Sequence, residues 1–123
     1  MKVAFRSRDA LPSTHGVQVY HPSPEDYWRW THAGLERLFR ENGSWASVTV
    51  VPASGTAACL AMLLSTFVDL ACRKAHVGWL GRSFAWVANH LARAIDRRVR
   101  ILREPGPGTL FANYHVTAVA ALE

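Results

Sequence analysis

The sequence predicts a mixed α/β protein, and three observations carry that expectation. A β-branched run, Val48-Thr49-Val50-Val51, ends at Pro52 as a strand does at a turn. Two Ala- and Leu-rich segments follow, about 56–74 and 82–97, and in the second Phe84, Val87, Leu91 and Ile95 recur at helical spacing. A last apolar stretch, 110–120, has the length and composition of a strand buried in a sheet. Half of the 123 residues are apolar and they include five Trp, five Phe and three Tyr, which supplies one modest core and excludes a disordered tail.

Taken in order, Val17 to Tyr20 reads as a short extended piece leading into the loop His21 to Asp26, where Pro22 and Pro24 push their neighbours away from helical backbone. Thr31 is a suitable N-cap, and Trp30 before it is placed to staple onto Leu35. The helix that follows puts Leu35, Leu38 and Phe39 on one face and Glu36, Arg37, Arg40 and Glu41 on the other, with Gly43 to end it. The strand covers 44–51 and the first long helix 56–74, and the glycines of the segment 76–81 mark a break before the second helix. Gly106 and Gly108, alternating with Pro105 and Pro107, make a turn ahead of the last strand. There is no internal repeat and no low-complexity segment.

The run Asp26-Tyr27-Trp28-Arg29-Trp30-Thr31, preceded by His21 and followed by Gly34-Leu35, resembles the C-terminal half of bacterial class I S-adenosylmethionine-dependent methyltransferases of the broad type 11 kind. With decreasing sharpness the resemblance extends over most of residues 17–120, leaving 1–14 as an unmatched N-terminal segment and 15–123 as the C-terminal part of a methyltransferase-like domain. It implies a Rossmann-like sheet, of which these residues form the last strands with an inserted apolar helical pair. The aromatic loop would follow the fifth strand and lie near the active-site opening. It also implies S-adenosylmethionine as cofactor and a small-molecule or sugar-like methyl acceptor.

The cofactor loop that such a fold needs is absent from the sequence. Backbone without Cβ atoms must approach the ligand, and an acidic residue must hold its ribose hydroxyls. The eight glycines contain no G-x-G-x-x-G pattern. The expectation is therefore a C-terminal fragment of an incomplete domain, inactive alone and completed by a missing N-terminal half.

Site candidates come from the loop. His21 and Asp26 suit a general base and the group that orients it. Tyr27, Trp28, Arg29 and Trp30 suit substrate binding, Arg29 through a carboxylate or phosphate and the aromatics by walling the pocket or stacking on a ring. Each has a plain structural alternative: Trp30 as staple, Tyr27 and Trp28 as core, Asp26 with Arg29 as an ion pair closing the loop. The remaining histidines, His15, His32, His76, His90 and His115, stand at no metal-ligand spacing and suit surface or capping roles.

Net charge is +5, with eight basic residues from Arg73 onward against Asp96, Glu104 and Glu123. No aromatic and basic interleaving accompanies them, so nucleic acid is not an expected partner. Asn42 to Val68 holds no charged side chain, yet Pro52 and Gly55 divide it and the part after them reaches Asp69 in thirteen residues. A span needs about 20, which leaves a hairpin resting on a membrane surface as the membrane expectation. Cys59 and Cys72 are too far apart along one helix for a disulfide, and the charged start Met1 to Ala10 is no secretory signal, so the expected location is cytoplasmic. The competing class is a small helical interaction or peripheral-membrane protein without catalytic activity.

Overall fold

The computed structural model describes residues 9–10, 13–19 and 28–121. Its elements are β1 (Asp9–Ala10), β2 (Ser13–His15), α1 (His32–Glu41), β3 (Trp45–Pro52), α2 (Thr56–Lys74), α3 (Gly78–Arg98), a 3-10 turn (Arg100–Arg103) and β4 (Asn113–Ala120). The chain is mixed α/β, with a small antiparallel sheet and three α-helices. It divides into two compact units, residues 1–53 with 113–123, and residues 54–112.

In the first unit β4 is the centre of the sheet. β3 pairs antiparallel along one edge, with Val48 opposite Ala118 and Val50 opposite Val116. β1 and β2 share the other edge in a single register, from Asp9 opposite Val119 to His15 opposite Asn113. Both neighbours of β4 oppose it, so β2 and β3 run the same way, and the chain passes between them through α1. That is a strand–helix–strand crossover, the connection that parallel strands require. Tyr114, Val116 and Ala118 of β4 and Val48 and Val50 of β3 are buried, alternating with exposed His115, Thr117, Val119, Thr49 and Val51. The last strand is thus central but apolar on one face, which corrects the expectation of a wholly buried strand.

α1 closes over that face with Leu35 and Phe39, both buried. Thr31 is its N-cap, with extended backbone and Oγ1 accepting from Gly34 N at 3.0 Å. Trp30 lies over Gly34, where an added Cβ would sit 3.9 Å from the indole. At the other end Asn42, not Gly43, does the capping: its backbone N–H donates to Phe39 O and its Nδ2 to Leu38 O at 2.8 Å. Gly43 is required for space, because a Cβ there would collide with the Trp45 indole, whose Nε1 donates to Phe39 O at 3.1 Å.

In the second unit α2 has the bounds the sequence predicts, whereas α3 begins at Gly78 instead of residue 82. The turn between them is tighter than the glycines suggest and is made by His76 at φ 59. Gly81 lies inside α3 and is buried, since a Cβ there would come 2.9 Å from the Asp69 backbone and 3.3 Å from Cys72 Cβ. It is a glycine of close helix packing. Small side chains fill the rest of the contact, with Ala92 buried and Ala85 and Ala88 half-buried, while Phe84, Val87, Leu91 and Ile95 are all exposed. The large apolar stripe therefore faces away from α2. The last strand starts at Asn113 and not at Leu110 because Leu110 N is engaged by Thr56 Oγ1 at 3.1 Å, and Phe111 and Ala112 are buried in this second unit.

Candidate functional site

The chain leaves β2 at His15 and returns to α1 at Thr31, and its two ends are held together. Trp30 N donates to His15 O at 3.1 Å. Arg29 reaches back across the same gap, its Nη2 donating to Val19 O at 3.1 Å and its Nε to Gln18 O at 3.5 Å, while Nη1 donates to Trp28 O. Asn113, the first residue of β4, accepts on Oδ1 from His15 Nδ1 at 3.0 Å and from Gln18 Nε2 at 3.2 Å.

Between the two ends lies an open cleft of about 250 Å³, lined by Gly16, Val17, Gln18, Arg29, Trp30 and Thr31. It sits at the carboxyl end of β2 and before the first turn of α1. In open α/β sheets that end of the strands is where ligands bind, because side chains and loop backbone converge there without being consumed by the ladder. Trp30 is half-buried and stacks on Trp28 with ring centroids 5.9 Å apart and planes inclined by 27°. Trp28 is 58% exposed, so the pair offers a flat apolar platform beside a guanidinium. This combination can hold a planar or sugar-like ring carrying an anionic group.

Of the site residues predicted from the sequence, Trp28, Arg29 and Trp30 come together here. His21, Asp26 and Tyr27 lie outside the described residues. Three members of the cluster were not predicted: His15, Gln18 and Asn113. Only strand pairing brings His15 and Asn113 together across most of the chain, and no local pattern marks either. His32, expected in a surface or capping role, instead docks α1 on the sheet, with Nε2 donating to Val50 O at 2.9 Å and its ring edge-on to Tyr114 at 6.4 Å.

A cradle for S-adenosylmethionine needs glycine backbone facing open space, and Gly43, Gly55 and Gly81 do not offer it. The room over Gly55 is taken by the Asp96 carboxylate, that over Gly43 by Trp45, and that over Gly81 by α2. Gly106 and Gly108 have nothing within 4 Å and form no cradle. Among the described residues no group of three or more His, Cys, Asp or Glu is placed to hold a metal ion.

Among the described residues the buried carboxylate and the buried thiol both lie in the second unit. Asp96, 5% exposed, accepts from Ala57 N at 3.0 Å and Ala58 N at 2.9 Å, so α3 supplies the cap that Gly55 cannot give to α2. Burial, and secondarily the charge of Asp96, raises the Cys59 thiol above its ordinary pKa. Both cysteines are free. Comparison with protein-family models, with curated proteins and with solved structures finds no match.

Proposed function

We propose that the unit of residues 1–53 and 113–123 is the acceptor-binding side of a class I S-adenosylmethionine-dependent methyltransferase, with the methyl donor held by polypeptide outside these 123 residues. The observation that carries this reading is the position of the cleft lined by Arg29 and Trp30, with Trp28 stacked on Trp30, at the carboxyl end of a strand that leads through α1 into a second, parallel strand. The order of strand, aromatic loop, helix packed on the sheet and strand is the order that the resemblance of the loop implies. The acceptor is a small molecule bearing a flat or sugar-like ring. Its ring stacks on the indoles and an anionic group faces Arg29. Such a site contributes orientation, which in a transfer between two bound reactants is worth several kcal/mol of barrier, on the order of 7–11 when alignment is complete. His21 and Asp26 take the roles of base and orienting partner for the acceptor proton.

The test is to translate the DNA upstream of the Met1 codon in all three frames and to express the joined chain. A strand, a Gly-rich turn and a following acidic residue are expected there. The joined protein is expected to bind S-adenosylmethionine in calorimetry, and the 123 residues alone are not. In the joined protein Trp28→Ala and Arg29→Ala raise the acceptor KM. Unrelated upstream sequence, or methyl transfer by the isolated chain, overturns the reading. The alternative, a helical interaction or peripheral-membrane protein, draws on a different unit.

A further inference from the structure

We propose that the α2–α3 hairpin binds the surface of an anionic lipid bilayer, an inference about residues 54–112 that stands independently of the methyltransferase reading. In a water-soluble helix pair the large apolar side chains belong in the contact and the small ones anywhere. Here the arrangement is reversed. The buried positions of the two helices are Thr56, Cys59, Ser65, Gly81, Ala92 and Asp96, all small or polar, and large apolar residues are left outside, with Phe67 70%, Leu91 60% and Leu64 52% exposed.

These exposed residues are not scattered. At about 100° per residue, Leu60, Leu64, Phe67 and Ala71 form one stripe along α2, and Leu80, Phe84, Val87, Leu91 and Ile95 form another along α3. Measured from the contact between two antiparallel helices, both stripes fall on the same side of the hairpin. Arg73 of α2 and Arg82, Asn89 and Arg93 of α3 fall on the other side. The hairpin therefore carries a continuous apolar face, and Trp79 and Trp86, 62% and 64% exposed, stand on the basic side with Arg82 and Arg93.

Charge identifies what covers that face. This unit holds eight basic side chains and three acidic ones, and the acids are already engaged. Asp69 pairs with Arg73 and Glu104 with Arg100, while Asp96 caps α2. Lys74, Arg82, Arg93, Arg97, Arg98 and Arg103 have no ion pair among the described residues. A surface of anionic headgroups complements this excess of positive charge. The apolar face then enters the headgroup and acyl boundary while the arginines stay at headgroup level. By length and composition α2, 19 residues whose most apolar 18 have a mean hydropathy of 1.4, is enough to cross a membrane. Arg82 and Arg93 within α3, however, suit a hairpin lying in the interface.

Flotation of the 123-residue chain with phosphatidylcholine vesicles, with and without phosphatidylserine, tests this. The chain is expected to float with the phosphatidylserine vesicles and to remain behind at high salt or with phosphatidylcholine alone. Each cation near such a surface changes partitioning about fivefold, so Arg97→Glu with Arg98→Glu should weaken binding by more than roughly tenfold. Leu64→Asp with Leu91→Asp, both at exposed positions, should abolish it while the helical circular-dichroism signal and melting curve stay as in the parent chain. Failure of the parent chain to float with phosphatidylserine vesicles overturns the proposal, as does equal flotation with both vesicle types. Sedimentation as a dimer without flotation assigns the face to a second copy and overturns it too.

Discussion

Cys59 shows how a residue with no part in any site still sets a measurable property. It is fully buried beneath the capped end of α2, and burial together with the Asp96 carboxylate disfavours its thiolate. The unfolded thiol ionises near 9.0, below the folded one, so the stability this burial confers is present below pH 9.0 and is lost as pH rises through the folded pKa. The chain is expected to lose stability above about pH 9, and Cys59→Ala to flatten that slope in denaturant melts taken across the range. In iodoacetamide labelling at neutral pH, Cys72, which is half-buried, reacts first, and Cys59 reacts only after denaturant is added. Asn42, Gly43 and Gly81 carry the same lesson at residue scale. Glycine was legible as punctuation, but at Gly43 and Gly81 its reason is room for an indole and for a neighbouring helix.

Among the elements, α1 and α2 contrast in how they begin. α1 carries its own cap, Thr31, in the sequence immediately before it, and its start was legible for that reason. α2 has glycine at that position and borrows a carboxylate from nearly forty residues away, an arrangement no local pattern announces. Removing that carboxylate in Asp96→Ala leaves two buried N–H groups without acceptors and an empty space above Gly55. A loss of about 2 kcal/mol is expected, and Asp96→Asn, which keeps an acceptor oxygen, should recover part of it. Urea titration followed at the helical circular-dichroism band measures both, and an unchanged midpoint for the alanine variant would show that water serves the helix end equally well. α3 was placed four residues late for a related reason. Glycine at 78 and 81 lowers helix propensity by about 1 kcal/mol each, and the close packing against α2 that compensates at Gly81 is a tertiary gain.

For the whole molecule, the consequential feature is where the helical unit is inserted. Ala53 N donates to Asn113 O at 3.0 Å, so β3 and β4 form a hairpin whose two ends are already in contact. An antiparallel pair needs only a two-residue turn. Replacing residues 54–112 with Asn-Gly is therefore expected to leave the sheet unit folded, with a cooperative melting transition of its own, and to eliminate vesicle binding. Loss of cooperative unfolding in that shortened chain would show that the sheet depends on the helical unit for its stability. Within the candidate site Trp28, Arg29 and Trp30 stand out in the sequence because tryptophan and arginine are locally distinctive. His15, Gln18 and Asn113 do not, since their proximity exists only once β2 has paired with β4.

By itself the sequence determined the mixed α/β class, the capped start of α1, the extent of α2 and the approximate position of each long element, because hydrophobic period, caps and β-branched runs are short-range properties written into neighbouring residues. Only the tertiary structure decided the antiparallel sheet with β4 at its centre, the cleft at the end of β2, the shared cap of Asp96 and the outward direction of the large residues on α3. The physical reason lies in that last case. A helical stripe of Phe84, Val87, Leu91 and Ile95 says that one side is apolar, but which side meets the neighbouring helix depends on where small residues allow two backbones to approach, and that is a property of the pair.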